Sequence, residues 1–185
     1  MRIISGEFRG RGLVTPRTLR LRPTSDKVRE SIFNILREKC VEAEGLDLFA
    51  GVGTVGLEAL SREAQHVTFV EKHNQSLEFL RRNIEFCRER VDVVPADIRT
   101  ALKVLSKKKK SYDIIFLDPP FDQGWVVTTL GLLDTFSLLK PYFVIIVQHS
   151  KDEPLGGPYK NFDVTDVRLY GQNMITFLRE REIVQ

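Results

Sequence analysis

Chemistry in this chain is most readily expected from carboxylates that stand at or near the ends of short apolar segments. Four acids share this placement: Asp47, Glu71, Asp97 and Asp118. Apolar runs of this length predict buried strands, and the ligands of an open α/β sheet lie beyond the carboxyl ends of its strands. We therefore expect the four acids to meet at one edge of a sheet. The first three suit a ligand with hydroxyls, an amine and positive charge, and they argue against a triphosphate.

The most specific pattern is Asp118-Pro119-Pro120-Phe121, which ends one of these apolar runs. The two prolines fix φ and remove two backbone donors, so hydrogen-bond acceptors dominate the turn. The Asp118 carboxylate and the Pro119 carbonyl can bind both hydrogens of an exocyclic amine, which favours a pyramidal nitrogen facing an electrophile. Phe121 can stack on the base that carries the amine, a contact worth about 1–3 kcal/mol. The alternative is a proline-rich turn that merely ends a strand.

A glycine-rich turn follows the first predicted strand. Gly51, Gly53 and Gly56 have the spacing G-x-G-x-x-G. The first glycine allows a tight turn, the second lets backbone approach a ligand, and the third lets a helix pack closely on a strand. The N-terminus of the helix that follows favours a carboxylate or a phosphate above the turn.

Two of the acids can have separate tasks at a nucleoside. Glu71 lies twenty residues after Gly51, where an acid can accept hydrogen bonds from both ribose hydroxyls. A capping or surface role explains Glu71 nearly as well. Asp97 follows the third predicted strand, where it can accept a hydrogen bond from an adenine amino group.

Strand-like and helical segments alternate, which predicts a mostly parallel sheet with right-handed crossovers. The first predicted helix starts within residues 22–26 and runs to about Lys39. The other predicted helices are Thr54 to Arg62, Asn74 to Arg88, Asp97 to Leu105 and Trp125 to Leu138. The predicted strands are Leu46–Ala50, Val67–Glu71, Val91–Val94, Tyr112–Asp118, Phe143–Gln148, Asn161–Tyr170 and Met174–Glu180. The turn at 171–173 joins the last two strands, which predicts an antiparallel hairpin at an edge of the sheet.

Basic residues concentrate at the N-terminus. Residues 1–30 contain eight basic and three acidic side chains, whereas the whole chain has a net charge of only +3. Glycines divide residues 1–22 into short β-prone pieces, which predict a basic β-hairpin arm, and residues 23–185 are expected to form a single domain. A basic arm on a near-neutral body indicates a polyanion partner, RNA or DNA being the usual one, although a merely solvated surface can have the same composition.

The remaining composition fits a cytoplasmic globular protein. Hydrophobic residues make up 42% of the chain, and no apolar run approaches the roughly 20 residues of a membrane helix. The N-terminal MRIISGE lacks the apolar segment of a signal peptide. Cys40 and Cys87 have no C-x-x-C spacing, so free buried thiols are expected. His66, His73 and His149 are scattered without ligand spacing, and no metal site is expected.

Together these segments resemble class I S-adenosylmethionine-dependent methyltransferases that act on exocyclic amines, whose signature is D/N-P-P-F/Y/W. More narrowly, the chain is similar to bacterial RsmD-type 16S rRNA guanine-N2 methyltransferases in RPTSDKVRESIFN at 22–34, LDLFAGVGTVGLEALSR at 46–62 and YDIIFLDPPF at 112–121. The N-terminal RIISGEFRGRGL takes part in the resemblance, which loosens only toward the C-terminus. It implies a Rossmann-like class I methyltransferase fold, with a mostly parallel seven-stranded sheet, helices on both faces and a C-terminal antiparallel β-hairpin.

The resemblance also implies roles for individual residues in a direct, metal-free methyl transfer. The turn at 50–53 would hold the methionine part of S-adenosylmethionine near Asp47, Glu71 would bind the ribose, and Asp97 with Ile98 would face the adenine. The expected cofactor-binding residues are Asp47, Phe49, Ala50, Gly51, Gly53, Glu71, Lys72, Asp97, Ile98 and Asp118. The residues expected to position guanine N2 are Asp118, Pro119, Pro120 and Phe121.

The expected partner is 16S rRNA within a small-subunit assembly particle, bound by a monomeric enzyme. The expected RNA-binding residues are Arg2, Arg9, Arg11, Arg22, Lys27 and Arg29.

Three other functions fit part of the pattern. An NAD-dependent oxidoreductase explains the glycine turn and Glu71 but leaves the DPPF segment and the basic arm unexplained. An adenine-N6 methyltransferase of DNA keeps the enzyme class, although the short chain offers no obvious DNA-recognition domain. A non-catalytic RNA-binding module would be indicated by the loss of a site acid, and none is missing.

Overall fold

A computed structural model describes residues 1–16 and 26–181 of the chain. Its helices are α1 (Asp26–Leu36), α2 (Thr54–Ser61), α3 (Asn74–Ile84), α4 (Ile98–Lys107) and α5 (Trp125–Thr135). Its strands are β1 (Glu44–Leu48), β2 (His66–Val70), β3 (Val91–Val94), β4 (Tyr112–Leu117), β5 (Leu139–Ser150), β6 (Phe162–Tyr170) and β7 (Asn173–Glu180). Short 3-10 segments at Arg37–Cys40 and Glu85–Arg90 follow α1 and α3.

The seven strands form one sheet in the order β3-β2-β1-β4-β5-β7-β6. Strands β1 to β5 pair in parallel, whereas β7 runs antiparallel to both β5 and β6. Helices α1, α2 and α3 pack on one face, and α4 and α5 pack on the other. The central strands β1 and β4 are covered on both faces, which explains their nearly continuous apolar sequences. The predicted Rossmann-like sheet with its C-terminal hairpin is confirmed.

Three helices end at least three residues earlier than their sequences predict, one of them α5, which ends at Thr135 rather than Leu138. α1 ends at Leu36 rather than Lys39, and α3 ends at Ile84 rather than Arg88. Arg37, the residue after α1, has a φ of 47°, and Cys87, within the 3-10 segment that follows α3, has a φ of −133°. The residue after α5, Phe136, is extended. Strand β5 is longer than predicted at both ends, because it pairs with β7 as far as Ser150.

The N-terminal arm is docked along α2. Its two limbs are joined by a single antiparallel bridge between Arg2 and Gly12 rather than by two regular strands. The Glu58 carboxylate of α2 accepts hydrogen bonds from two consecutive backbone N–H groups of the arm, at 2.8 and 3.1 Å. Ile3 and Leu13 are buried beneath the arm and contribute to the core. The arm therefore belongs to the helix layer on this face of the sheet.

Arg29 is buried, so its expected role at an RNA-binding surface is wrong. Its side chain has no exposed surface, and Nη2 donates to the Asp26 carboxylate at 2.9 Å and to the Arg2 carbonyl at 2.8 Å. Its Nε lies 3.8 Å from the Glu58 carboxylate. Burial lowers the pKa of Arg29, whereas the Glu58 and Asp26 carboxylates oppose that shift. Arg29 thus links α1 to the arm and to α2, and this burial removes it from the surface that can meet RNA.

Candidate active site

A cleft of about 910 Å³ opens beyond the carboxyl ends of β1, β2 and β4. The sheet order changes direction between β1 and β4, which is where ligands of open α/β sheets bind. The four acids that the sequence brings forward all line this cleft: Asp47, Glu71, Asp97 and Asp118. The other expected cofactor and amine residues line it too, with the exception of Gly53: Phe49, Ala50, Gly51, Lys72, Ile98, Pro119, Pro120 and Phe121.

The three glycines of the turn have different surroundings. A Cβ on Gly51 would meet nothing within 4 Å, so the backbone there is open to the cleft. A Cβ on Gly53 would lie 2.6 Å from Leu80 of α3, and its φ of 86° also disfavours other residues. A Cβ on Gly56 would lie 2.3 Å from the Phe69 ring of β2. Gly51 is therefore the glycine that leaves room for a ligand, whereas Gly53 and Gly56 allow close packing.

Glu71 holds two loops of the cleft together. Its Oε2 accepts a hydrogen bond from the Gly51 N–H at 2.8 Å, across from β1. Its Oε1 accepts from the N–H groups of Lys72 and His73, both at 2.7 Å. Only 6% of Glu71 is exposed. Because each carboxylate oxygen can accept two hydrogen bonds, Oε2 retains capacity for a ligand hydroxyl.

Asp47 is the most deeply placed acid of the cleft, with 3% of its surface exposed. Its Oδ2 accepts a hydrogen bond from the Gly56 N–H at 2.9 Å, which joins β1 to the first turn of α2. Burial raises the pKa of Asp47 to about 7; the Gly56 hydrogen bond opposes this shift, and the Asp118 and Glu71 carboxylates reinforce it. A cationic ligand in the cleft would favour the ionised form of Asp47 and so lower its pKa.

Asp97 caps α4, as its sequence position predicts. Its carboxylate accepts from the N–H groups of Arg99 and Thr100 at 3.0 and 3.2 Å, and from the Thr100 hydroxyl at 2.7 Å. These hydrogen bonds hold the pKa of Asp97 below its ordinary value. The carboxylate nevertheless lines the cleft, so capping and a contact with an adenine amine are compatible.

The segment 118–121 follows β4, the neighbour of β1, and lines the cleft together with the glycine turn. Pro119 is buried and Pro120 is exposed, so the segment crosses from the core to the surface at this point. The next residue, Asp122, has a φ of 56° and accepts a hydrogen bond from the Ser150 hydroxyl at 2.6 Å. This bond ties the turn to the end of β5.

Trp125 is a cleft residue that the sequence reasoning missed. It is the single tryptophan of the chain and begins α5. Its ring meets the Phe49 ring edge-on with the centroids 5.9 Å apart, and Lys72 Nζ and Arg99 Cζ lie 5.6 and 5.1 Å from its centroid. The sequence feature that could have indicated a place in the cleft is that this single tryptophan follows the DPPF segment by only a few residues. Gln148, at the end of β5, was also missed and also lines the cleft.

The expected RNA-binding residues fall into three groups. Exposed side chains in the arm and at the start of α1 belong to Arg2, Arg9, Arg11 and Lys27. The guanidinium of Arg11 lies 3.9 Å from the centroid of the Phe86 ring. Arg22 lies outside the described residues, and Arg29 is buried. Met1 lines the cleft, so the basic arm begins at its rim.

Of the three histidines, His73 lines the cleft, whereas His149, Cys40 and Cys87 are buried outside its lining. His149 is buried away from the cleft wall, with Nε2 2.9 Å from the Thr176 hydroxyl and Nδ1 2.8 Å from the Ser150 carbonyl. Burial lowers its pKa. Cys40 and Cys87 are free and buried. Within residues 1–16 and 26–181, no group of His, Cys, Asp and Glu side chains is arranged to hold a metal ion, and no helix is long and apolar enough to cross a membrane.

The donor and acceptor set of the cleft fits S-adenosylmethionine. Asp47, Glu71 and Asp118 surround one cavity, and their mutual repulsion favours a cationic ligand such as one with a sulfonium and an ammonium group. The open backbone at Gly51 and the N-terminus of α2 can accommodate its carboxylate. The acidic cleft and the seven-stranded sheet with an antiparallel β7 define a class I S-adenosylmethionine-dependent methyltransferase.

Comparison with known proteins leads to a narrower family. The family model described as Conserved hypothetical protein 95 matches residues 1–179. Ribosomal RNA small subunit methyltransferase D of Haemophilus influenzae is 38% identical over 161 residues, which cover 85% of this chain and 83% of that protein. The protein of the same name from Escherichia coli K12 is 36% identical over 173 residues, which cover 93% and 86%.

A solved structure from Escherichia coli with the provisional name methyltransferase yhhF has a TM-score of 0.85 and 34% identity, covering 97% of both chains. The chain therefore belongs to the Conserved hypothetical protein 95 family, the RsmD-like methyltransferases.

Proposed function

We propose that this enzyme transfers a methyl group from S-adenosylmethionine to the N2 amine of a guanosine in 16S ribosomal RNA. The observation that carries the proposal is the presence of the DPPF segment in the same cleft as the glycine turn and Glu71. Two relatives are named as small-subunit ribosomal RNA methyltransferases, which supports ribosomal RNA as the substrate. The resemblance of the motifs to guanine-N2 methyltransferases supports the choice of amine.

The cofactor side of the cleft binds and orients the methyl donor. When bound, the cofactor supplies a methyl group on a positively charged sulfur. Asp47 and the open backbone at Gly51 would hold the amino acid part, and Glu71 would accept from the ribose hydroxyls. Asp97 and Ile98 would face the adenine. Further contacts would come from Phe49, Ala50 and Lys72, whereas Gly53 acts through packing.

The base side of the cleft prepares the amine. The lone pair of an exocyclic amine is delocalised into its ring, so the nitrogen is a poor nucleophile. The Asp118 carboxylate and the Pro119 carbonyl would accept hydrogen bonds from the two N–H groups of the amine, which favours a pyramidal nitrogen. Stacking on Phe121 would fix the base. Pro119 and Pro120 carry no N–H that could compete for these acceptors. The amine loses a proton when it gains the methyl group, and the Asp118 carboxylate would accept that proton.

Orientation and electrostatics account for the catalysis. Holding the nitrogen in line with the bond that breaks removes much of the entropic barrier of a bimolecular step. The acids around the cleft would bind the positively charged donor, whereas the Asp118 carboxylate would lower the barrier because it stabilises the positive charge that develops on the amine.

The exposed cations of the arm would hold the RNA backbone. Phosphate contacts from Arg2, Arg9, Arg11 and Lys27 would position the RNA, while the cleft selects the base. Arg22 is expected to join them. The target base must be unpaired or flipped in order to reach Phe121. Because the arm begins at the cleft rim, one RNA segment can contact both regions.

We further propose that a monomer acts in the cytoplasm on a small-subunit assembly particle. The seven strands form one sheet, and the expected cofactor and amine residues other than Gly53 line one cleft of a single chain, which supports a monomer. Gel filtration with light scattering tests the monomer, and a dimer whose partner contributes to the cleft would contradict it.

Two alternatives remain distinguishable by experiment. An adenine-N6 methyltransferase would use the same DPPF segment on another exocyclic amine. An NAD-dependent oxidoreductase would use the glycine turn and Glu71. Calorimetry with S-adenosylhomocysteine and with NADH separates the cofactors, and tight binding of NADH alone would contradict the proposal.

The deciding experiment combines the enzyme with labelled S-adenosylmethionine and small ribosomal subunits that lack the modification. The label should appear in 16S rRNA, and nuclease mapping should place it on N2 of one guanosine. Naked 16S rRNA, run in parallel, tests whether the particle is needed. Label on an adenine N6, or no transfer to either substrate, would refute the proposal.

A further inference from the structure

Strand β5 places an uncharged polar side chain, Gln148, in the cleft wall beside the DPPF segment. Leu117 pairs with Val147 in the parallel register of β4 and β5. The next residues, Asp118 and Gln148, therefore lie side by side at the ends of neighbouring strands, which are about 4.8 Å apart. Both line the cleft, and Gln148 has 5% of its surface exposed. A ligand group held by Asp118 is therefore within reach of the Gln148 carboxamide.

The end of β5 that carries Gln148 is held firmly. The backbone of Gln148 pairs with Ile175 in the antiparallel register of β7. The following residue, His149, is fixed by its contact with Thr176, and the Ser150 hydroxyl reaches across to the loop after the DPPF segment. A side chain on such an element is positioned more accurately than one on a loop.

The chemistry of the guanine edge matches a carboxamide at this place. The N2 amine, N1–H and O6 follow one another along the Watson–Crick edge. With the amine held by Asp118 and Pro119, the next groups are one donor and one acceptor. A glutamine offers an acceptor oxygen and two N–H donors, so it can accept from N1–H and donate to O6. Rotation of the amide by half a turn would also suit a purine whose N1 is an acceptor.

We propose that Gln148 hydrogen-bonds the N1 and O6 edge of the target guanine and thereby sets the rotation of the base about its N2 amine. This inference rests on the proposed function, because it takes N2 as the methyl acceptor. The amide accommodates either hydrogen-bond polarity at N1. A carboxylate of the same shape only accepts, so it repels O6 of guanine and equally repels N1 of a purine whose N1 is an acceptor.

The test uses 2,6-diaminopurine in place of the mapped guanosine. This base keeps the 2-amine, but its N1 is an acceptor and position 6 carries a donor. Splint ligation introduces either nucleotide into 16S rRNA, small-subunit proteins are assembled on it, and kcat/KM is measured for wild type, Gln148→Glu and Gln148→Met. Gln148→Glu should lower kcat/KM for both nucleotides by about tenfold or more, since its carboxylate then faces an acceptor on either base, O6 of guanine or N1 of 2,6-diaminopurine. Wild type should use the two nucleotides with kcat/KM values within about tenfold of each other, because its amide can turn to match either base.

Gln148→Met tests the same contact without charge. It removes the hydrogen bonds to either base, so kcat/KM should fall by about tenfold for both substrates while their ratio stays near that of wild type. Matched controls are Gln65→Glu and Gln65→Met, because Gln65 is an exposed glutamine just before β2, at the opposite end of the sheet. Both controls should behave as wild type.

The fluorescence of Trp125, the single tryptophan and a cleft residue, reports S-adenosylhomocysteine binding by each variant. With that binding intact, a kcat/KM of Gln148→Glu on guanosine within about twofold of wild type overturns the inference. If Gln148→Glu loses the cofactor, an unchanged kcat/KM in Gln148→Met overturns it. Failure of wild type to methylate guanosine refutes the proposed function together with this inference, whereas transfer to guanosine that both Gln148 variants leave unchanged refutes the inference alone.

Discussion

The two sides of the cleft use their acids differently. On the cofactor side, the Glu71 and Asp47 carboxylates accept backbone N–H groups at 2.7 to 2.9 Å and thereby shape the loops that surround them. On the base side, Pro119 and Pro120 supply no N–H, so the turn after Asp118 consists mainly of acceptors. On the cofactor side, the same carboxylates that hold the loops in place are therefore the ones proposed to bind the ligand. Substitutions there should change affinity and loop structure together, whereas substitutions at Asp118 should change the rate of the chemical step.

The largest effect is expected at Asp118. Replacing it by alanine removes the carboxylate that positions the amine, and kcat should fall by about 1,000-fold or more. The affinity for S-adenosylhomocysteine should stay within about threefold of wild type, because the other acids of the cleft remain. Single-turnover methyl transfer and a Trp125 fluorescence titration measure the two quantities.

Asp118→Asn is the matched variant for this test, because it keeps one acceptor oxygen and loses the charge. Its rate should lie between those of wild type and Asp118→Ala. Wild-type turnover by the alanine variant would show that the amine is positioned by other groups, and the contrast between the two sides would then disappear.

The next largest effect is expected at Glu71. Glu71→Ala removes acceptors for three backbone N–H groups and the proposed partner of the ribose, so S-adenosylhomocysteine should bind about 10- to 100-fold more weakly. Hydrogen exchange at the Gly51 amide should accelerate in the same variant, since that N–H loses its acceptor.

Glu78→Ala, an exposed glutamate on α3, serves as the control for loss of a charge. If Glu71→Ala binds S-adenosylhomocysteine more weakly but hydrogen exchange at the Gly51 amide is unchanged, the carboxylate binds the ligand without holding the glycine turn, and this prediction is contradicted.

The raised pKa of Asp47 predicts how cofactor affinity and the stability of the fold change with pH. Its pKa is raised from an ordinary value of 3.8 to about 7. A cationic ligand favours the ionised form, so binding releases a proton, and affinity for S-adenosylmethionine should rise by at most about tenfold per pH unit up to pH 7 and then level off. The unfolded chain releases this proton near pH 4 and the folded one near pH 7. The contribution of Asp47 to stability therefore decreases as the pH rises through this window.

Asp47→Asn keeps an acceptor for the Gly56 N–H and removes the titration. Its dissociation constant should vary less between pH 5.5 and 8 than that of wild type, as measured by fluorescence titration. Its denaturation midpoint should also lose the decrease between about pH 4 and 7. Parallel profiles for the two proteins would mean that another group governs the pH dependence.

The sheet and the cleft acids were predictable because parallel strands bring their carboxyl ends to one edge. An acid that follows an apolar run, such as Glu71 or Asp118, is then assigned to that edge without knowledge of side-chain packing. The C-terminal hairpin followed from two β-prone segments around a short turn. These inferences use period and order along the chain, which a single sequence displays.

Arg29 shows what that reasoning lacked. Its charge suggested exposure, although its spacing of three, four and seven residues from Ile32, Phe33 and Leu36 places it on the apolar face of α1. The partner that stabilises it, Glu58, lies on α2 and could not be paired with it from spacing. Gln148 was missed for a related reason, since its position beside Asp118 depends on the register of β4 and β5.

The smallest effect is expected in the basic arm, which should separate RNA binding from the chemistry of both cleft sides. Arg9→Ala combined with Arg11→Ala should weaken binding to 16S rRNA and reduce the slope of log affinity against log salt by about one for each phosphate that the arm no longer binds. S-adenosylhomocysteine affinity should not change. The control is Arg168→Ala on the edge strand β6, which removes an exposed arginine paired with Asp166. A salt slope equal to that of wild type in the double variant would place the RNA on another surface, and the cleft would then select its base without help from the arm.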